Sequence, residues 1–166
     1  NFGLEFEFLW LVNNNLDLIL NIGLLETEFK NYLSFSHVDA NLTDAIPVNL
    51  SGRDQSHAPQ YQFNVGFKYR VSEALSINFD VEAKEEFYFS VCHNLQSDEY
   101  LLLNIVFNYQ KDDWEINLFG KNLSDEDTQT RGFGSFGNDP RKFYATEPYF
   151  QFGAPRVIGV NGKRKF

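Results

Sequence analysis

"YQFNVGFKYRVSEALSINFDVEAK", residues 61–84, places an apolar side chain at every second position on both sides of a short break. Side chains of a β-strand point alternately to its two faces, so this spacing predicts two strands joined by a tight turn. The positions between them, such as Asn64, Asp80 and Glu82, are too polar to form a second core. The pattern therefore predicts a sheet with one apolar face. The apolar positions are Tyr61, Phe63, Val65, Phe67, Tyr69, Leu75, Ile77, Phe79, Val81 and Ala83.

Seven segments in all show this alternation, whereas no window shows the 3.6-residue period of an amphipathic helix. In the fourth segment the alternation continues beyond residue 84 through Phe87, Phe89 and Val91. We therefore predict an all-β chain that folds as an antiparallel up-and-down meander of about seven strands. The predicted strands are 2–10, 16–29, 61–70, 75–91, 99–109, 114–122 and 157–166.

The connections between the predicted strands alternate in length. Those at 11–15, 71–74 and 110–113 are tight turns rich in Asn, Asp and Ser. The other three are long or irregular and cover residues 30–60, 92–98 and 123–155. One end of the meander therefore has short turns and the other has long loops, which is the layout of a transmembrane β-barrel.

Aromatic side chains support this interpretation. Trp10, Tyr69, Tyr109 and Trp114 all lie on the apolar face and all flank a short turn. Amphipathic rings gather where a membrane meets water, so we predict that these four residues form a membrane-interface girdle. The apolar face then contacts lipid, and the polar face lines a watery or plugged lumen. A second, looser aromatic group lies near the long connections and contains Tyr61, Phe87 and Phe89.

Composition narrows the class of protein further. A net charge of −9 disfavours nucleic acid as a partner, because binding phosphates needs Lys and Arg. Cys92 is the single cysteine, and the chain has no run of about 18 apolar residues that would make a transmembrane helix. Strand-like sequence begins at residue 2, and seven strands leave two sheet edges open, whereas a membrane-spanning sheet must close. We therefore expect a piece of a longer protein.

Four stretches, in this order, resemble the C-terminal end of TonB-dependent outer-membrane receptors. "GLEFEF" (3–8) is similar to a recurrent strand opening of that family, and "LSGRDQSHAPQYQFNVGFKYR" (50–70) to a loop that ends in Ala-Pro before a strand. "WEINLFGKNLSDED" (114–127) resembles the Asn-Leu-x-Asp signature after a late strand. "GAPRVIGVNGKRKF" (153–166) resembles the closing pattern with its terminal Phe.

The resemblance implies that residues 1–166 are the last part of a 22-stranded transmembrane β-barrel, seen here as an open curved fragment. It implies import of a scarce nutrient, such as a ferric siderophore, across the outer membrane of a Gram-negative cell, with no enzymatic step. The implied partners are the lipid bilayer, the TonB complex, a small-molecule cargo and the barrel-assembly machinery, which reads Phe166 as a signal. The plug domain, the signal peptide and the TonB-engaging segment are expected to lie outside this chain. Arg164 departs from the family because it places a charge where the last strand usually faces lipid.

The last long connection, 123–155, mixes basic and aromatic residues that suit an anionic or aromatic cargo. From it we select Arg131, Phe136, Arg141 and Tyr144 as candidate ligand contacts; packing of the loop on itself is the competing explanation. The histidines are His37, His57 and His93, and they lack the spacing of a metal site, so we predict neither a metal nor a cofactor. No grouping of residues predicts a catalytic centre.

A second class of protein also fits the alternation. A soluble β-sandwich or jelly-roll module, for example one that binds carbohydrate, would bury the apolar face against another sheet about 10 Å away. The rows that begin at Phe63 and Leu101 distinguish the two hypotheses, because a sandwich covers them and a barrel leaves them exposed.

Overall fold

The computed structural model describes residues 1–34, 47–91, 93–136, 139–143 and 147–165, with residues 134–136 described for their backbone alone. Within these residues the chain forms strands and one short 3-10 helix, Pro140–Lys142. The strands are β1 (Phe2–Asn13), β2 (Leu16–Glu26), β3 (Leu33–Ser34), β4 (Val48–Asn49), β5 (Tyr61–Arg70), β6 (Leu75–Lys84), β7 (Tyr100–Lys111), β8 (Trp114–Lys121), β9 (Gln129–Phe136), β10 (Glu147–Phe152) and β11 (Val157–Arg164).

Seven of these strands form one open antiparallel sheet. Its order is β1-β2-β5-β6-β7-β8-β11, so the strands of this sheet lie side by side in the order in which they occur along the chain. The predicted all-β meander is confirmed, and its strands of 8–12 residues match the length that crosses a bilayer at a tilt. No helix within the described ranges is long and apolar enough to span a membrane.

The structure differs from the sequence prediction in two of the long connections and at the end of the fourth strand. The connection 123–155 is predicted to be long or irregular, and within it β9 and β10 pair as an antiparallel hairpin, while β3 pairs with β4 in the first long connection. The fourth strand was expected to run to residue 91, but β6 ends at Lys84. Beyond that point Phe87 and Phe89 turn inward and are buried, because they pack among the loops instead of facing outward.

The register joins the apolar rows into one continuous surface. Phe67, for example, lies opposite Leu18 on one side and Phe79 on the other, and Phe79 lies opposite Ile105. Directly opposite residues in an antiparallel pair point to the same face, so the alternating apolar rows of all seven strands share one side of the sheet. We call this side the apolar face and the other side the polar face.

The compact core of the molecule lies in the long loops and not beneath the sheet. Apart from Ala83, the buried hydrophobic residues belong to the long connections: Leu50, Ala58, Phe87 and Phe89. On the apolar face Val65 remains 42% exposed, Leu101 42% and Val160 70%. No second sheet covers this face within the described residues, so the two-layer arrangement of a β-sandwich is not the fold.

Candidate functional site

The four predicted girdle residues lie together on the exposed apolar face. Trp10, Tyr69, Tyr109 and Trp114 each lie within a few residues of a turn that joins β1 to β2, β5 to β6 or β7 to β8. We call this end of the sheet the short-turn end and the opposite one the long-loop end. Trp114 is 48% exposed, and the guanidinium carbon of Arg164 lies 5.3 Å from the centroid of its ring. Their role at a membrane interface stays a prediction.

At the long-loop end the first and second long connections are joined by Arg53. Its Nη1 donates to Asn94 Oδ1 at 3.1 Å, and its Nη2 donates to the carbonyl oxygens of Ser90 and His93. The guanidinium also stacks over the ring of Tyr88, with 3.8 Å from its carbon to the ring centroid. A planar cation suits this position because it can hydrogen-bond at its edge and stack with its face.

Aromatic rings fill the space between these loops and the β9–β10 hairpin. The rings of His57 and Phe87 lie 5.2 Å apart between centroids, and Phe87 packs edge-on against Phe89 at 5.4 Å. Phe150 of β10 reaches Phe89 at 6.0 Å. A Cβ at Gly132 of β9 would lie 2.2 Å from a ring carbon of Phe89, so only glycine lets this strand approach. We call this arrangement of the three long connections the loop layer.

Ion pairs hold the outer part of the β9–β10 hairpin. Arg141 is bidentate on Asp139, with its Nε 3.0 Å from Oδ1 and its Nη2 2.9 Å from Oδ2, and Lys142 pairs with Glu147. The hydrogen bond from the Arg141 side chain lowers the pKa of the Asp139 carboxyl, and the one from Lys142 lowers the pKa of Glu147. Phe143 follows in a left-handed conformation with φ 54°.

The structure describes the side chains of two of the four sequence-predicted ligand contacts, and both belong to this hairpin. Arg131 lies in β9 with its guanidinium carbon 5.7 Å from the ring centroid of Phe133, and Arg141 lies on the 3-10 helix, 88% exposed at its side chain. Tyr144, the side chain of Phe136 and the terminal Phe166 lie outside the described residues. The predicted roles of all these residues remain predictions.

A hydrogen-bonded chain of amides and a carboxylate crosses the polar face. Asp80 Oδ2 accepts from the side-chain nitrogens of Asn64 at 3.5 Å and of Asn104 at 2.8 Å. Asn104 Oδ1 in turn accepts from the backbone N–H of Asn122, where the chain leaves β8. This network links β5, β6 and β7 to the start of the last long connection.

Next to this network the polar face forms an open concavity of about 360 Å³. Acidic and amide side chains dominate its wall, and Tyr100 donates to Glu82 Oε1 at 3.3 Å there. Within the described ranges no three His, Cys, Asp or Glu side chains lie close enough together to hold a metal ion. The polar residues that line the concavity are Glu5, Glu7, Asn21, Gln62, Asn64, Glu82, Lys84 and Tyr100.

Sequence reasoning did not find two residues that organise this site. Arg53 was not selected, because its partners lie 37–41 residues away and no local spacing marks them. Asn122 was quoted only as part of a resembling stretch. The usable signal there was an Asn at the last position of a predicted strand, since Asn tolerates the left-handed conformation better than most residues.

Three solved structures of similar fold are receptors. The siderophore receptor PiuA from Acinetobacter baumannii superposes with a TM-score of 0.72 at 14% identity, over 98% of this chain and 21% of PiuA. The ferric yersiniabactin uptake receptor FyuA from Yersinia pestis gives 0.69 at 20% identity, over 99% of this chain and 23% of FyuA. The ferric-catecholate import receptor Fiu from E. coli K12 gives 0.53 at 13% identity, over 99% and 27%. No family model matches the sequence.

These similarities define the class of fold. The open seven-stranded sheet is the fold of part of a siderophore-receptor barrel, and the resemblance to TonB-dependent receptors inferred from the sequence is confirmed at this level. The chain spans about a fifth to a quarter of the length of the receptors that it matches.

Proposed function

We propose that this chain is a membrane-embedded part of an outer-membrane receptor that imports a ferric siderophore or a similar scarce nutrient in a Gram-negative cell. The observation that carries the proposal is the continuous apolar face, which stays exposed in a fold shared with siderophore receptors. A surface of this size in water would favour aggregation, whereas acyl chains would cover it at no cost. The polar face then lines the lumen of the barrel.

The proposal includes the parts of the receptor that this chain does not supply. Within the described residues β1 and β11 each pair with a single strand, so the sheet has two open edges. In a bilayer these edges need further strands, because unpaired backbone groups cannot be hydrated there. We place residues 1–166 at the C-terminal end of the barrel, with the plug domain and the TonB-engaging segment elsewhere in the receptor. The fragment is then not competent for transport alone.

For the cargo we propose contacts on the β9–β10 hairpin, which lies at the long-loop end. Arg131 and Arg141 offer planar cations for carboxylate or catecholate oxygens, and Phe136 and Tyr144 offer rings for stacking. Arg141 is already held by Asp139, so an anionic cargo would have to share it or displace that carboxylate. The proposal therefore assigns the cargo a negative charge.

The test uses the full-length protein that carries this chain, expressed in a Gram-negative strain that lacks its own iron receptors. We expect outer-membrane fractionation, detergent-dependent extraction and TonB-dependent uptake of radioactive iron from some ferric siderophores. R131Q and R141Q should weaken siderophore binding, and K142Q on the same hairpin, which also removes one charge, serves as the matched control. A protein that purifies as a detergent-free monomer would overturn the proposal.

A further inference from the structure

Three residues at the short-turn end of the apolar face form a cross-strand row. Lys111 of β7 and Arg164 of β11 are the two direct partners of Trp114 in β8. Opposite residues share a face with their Cβ atoms about 5 Å apart, so the indole lies between two cationic side chains. The contact between Arg164 and the Trp114 ring, 5.3 Å to the centroid, agrees with this arrangement.

The neighbouring row, one step toward the middle of the sheet, contains a gap. There Ile116 lies opposite Tyr109 on one side and Gly162 on the other. A Cβ built on Gly162 meets no atom within 4 Å, so the apolar face is indented beside Arg164. A basic row thus lies directly next to an apolar notch.

The basic character of this row contrasts with the rest of the apolar face and of the chain, whose net charge is −9. Toward the long-loop end, two residues on the apolar side are acidic. Glu26 lies opposite Phe2 in the register, and Glu99 accepts a hydrogen bond from the outward-facing Tyr61. These two carboxylates contrast with the basic row at the short-turn end.

Other cations near the short-turn end belong to the polar face. Arg70 pairs with Asp17, Lys68 lies opposite Asp17, and Lys163 lies opposite Glu115. They are therefore turned toward the proposed lumen and matched with carboxylates. Lys111 and Arg164 are placed on the side that the proposed membrane covers.

We propose that the row Lys111–Trp114–Arg164 binds the headgroup of an anionic phospholipid in the leaflet at the short-turn end. The two cations hold the phosphate, the indole packs against the glycerol region, and an acyl chain lies in the notch at Gly162. Tryptophan favours this depth of a bilayer, and each basic residue near an anionic surface adds attraction. The inference rests on the proposed membrane function and adds the class of lipid and its site.

The two tryptophans of the chain allow a direct test in the full-length protein that carries it, with any tryptophan outside residues 1–166 replaced by phenylalanine. The W10F variant leaves Trp114 as the reporter, and W114F leaves Trp10, whose cross-strand partner in the described residues is the uncharged Leu18. Each is reconstituted in vesicles of phosphatidylethanolamine and phosphatidylglycerol, with brominated acyl chains on one lipid or the other. We expect brominated phosphatidylglycerol to be enriched about fivefold over brominated phosphatidylethanolamine at Trp114, by fluorescence quenching, and not at Trp10.

Charge-removing variants in the W10F background locate the site. K111Q/R164Q should abolish the enrichment at Trp114, whereas K68Q/K163Q, which removes two cations from the polar face, should keep it. Equal quenching of Trp114 by both lipids, or enrichment that survives K111Q/R164Q, overturns the lipid site. The comparison of W10F with W114F decides the question even if K111Q/R164Q does not fold. If neither lipid quenches either tryptophan, the membrane function fails as well, so the two failures can be told apart.

Discussion

At the end of β8 the backbone turns out of the sheet at Asn122, whose φ of 49° lies in the left-handed region. Its Nδ2 donates to the carbonyl oxygens of Glu126 at 2.9 Å and Ala154 at 3.1 Å, and its Oδ1 accepts from the backbone N–H of Glu126 at 3.0 Å. The side chain is buried, so each of these bonds replaces one to water. A single residue thus fixes both ends of the last long connection.

We expect N122A to lower the free energy of unfolding by about 1–3 kcal/mol, because it leaves buried backbone groups without partners and strains the turn. N122G keeps the left-handed backbone without strain but loses the same hydrogen bonds, so the difference between the two variants measures the strain. Urea titration of the refolded full-length protein in detergent, followed by tryptophan fluorescence, gives both values. Two variants as stable as the parent would show that the side-chain bonds do not hold the turn.

His93 makes the loop layer sensitive to pH. Burial lowers the pKa of its imidazole, and the charge of Arg53 lowers it further. The backbone N–H of Leu95 donates to His93 Nδ1 at 3.3 Å, so this nitrogen is an acceptor and protonation removes the bond. Because the folded pKa lies below the usual 6.5, the contribution to stability is complete above pH 6.5 and declines as the pH falls through the folded value.

Amide hydrogen exchange in residues 85–97, corrected for the intrinsic rate at each pH, should therefore speed up as the pH drops below 6.5. NMR titration should give His93 a pKa below that value, and R53Q should raise it because a nearby positive charge is removed. H93Q, which cannot take up a proton, is the control and should flatten the pH dependence of exchange. A His93 pKa above 6.5 would contradict this account.

At the scale of elements, alternation predicted the seven long strands because each has one face that stays polar. It placed the end of β6 too late, since Phe87 and Phe89 continue the same spacing after the chain has left the sheet. A packed loop can also carry apolar residues at every second position, so the period alone does not distinguish a buried loop from a strand. The alternation pattern also missed β9 and β10, because Gly132 and Gly134 provide no apolar side chains at alternate positions on one face of β9. Of the candidate site, sequence identified charged and aromatic residues but not the contacts between distant loops.

Gly132 tests how the β9–β10 hairpin docks on the loop layer. G132A should lower the free energy of unfolding by about 1–3 kcal/mol, because the new methyl group overlaps the ring of Phe89. In an F89A background the same change should cost much less, which a double-mutant cycle of urea unfolding in detergent measures. G162A, where nothing lies within 4 Å of the added Cβ, is the matched control. Equal costs with and without Phe89 would show that the hairpin does not lie against that ring.

At the scale of the whole molecule, the sheet has two different surfaces and a core beneath neither of them. The polar face is tied together by the Asp80 network, and the loop layer packs around Phe87 and Phe89. The apolar face has no protein layer over it in the described residues. An exposed apolar face of this extent favours an apolar phase outside the chain, and in the proposed function lipid is that phase. The depth of each residue in that phase should then determine how much a charge placed there lowers the free energy of unfolding.

Val65 lies midway along β5 on the apolar face, 42% exposed, and adjacent Asn64 lies on the polar face. In vesicles, V65R should lower the free energy of unfolding by about 2–4 kcal/mol, because the charge is placed near the middle of the bilayer. N64R adds the same charge one residue away but turns it toward the proposed lumen, so its cost should be well below that of V65R. In a water-soluble protein an arginine at an exposed position such as residue 65 would change stability little. Equal small costs for both variants would therefore mean that the apolar face is not covered by lipid, whatever the similarity of the fold.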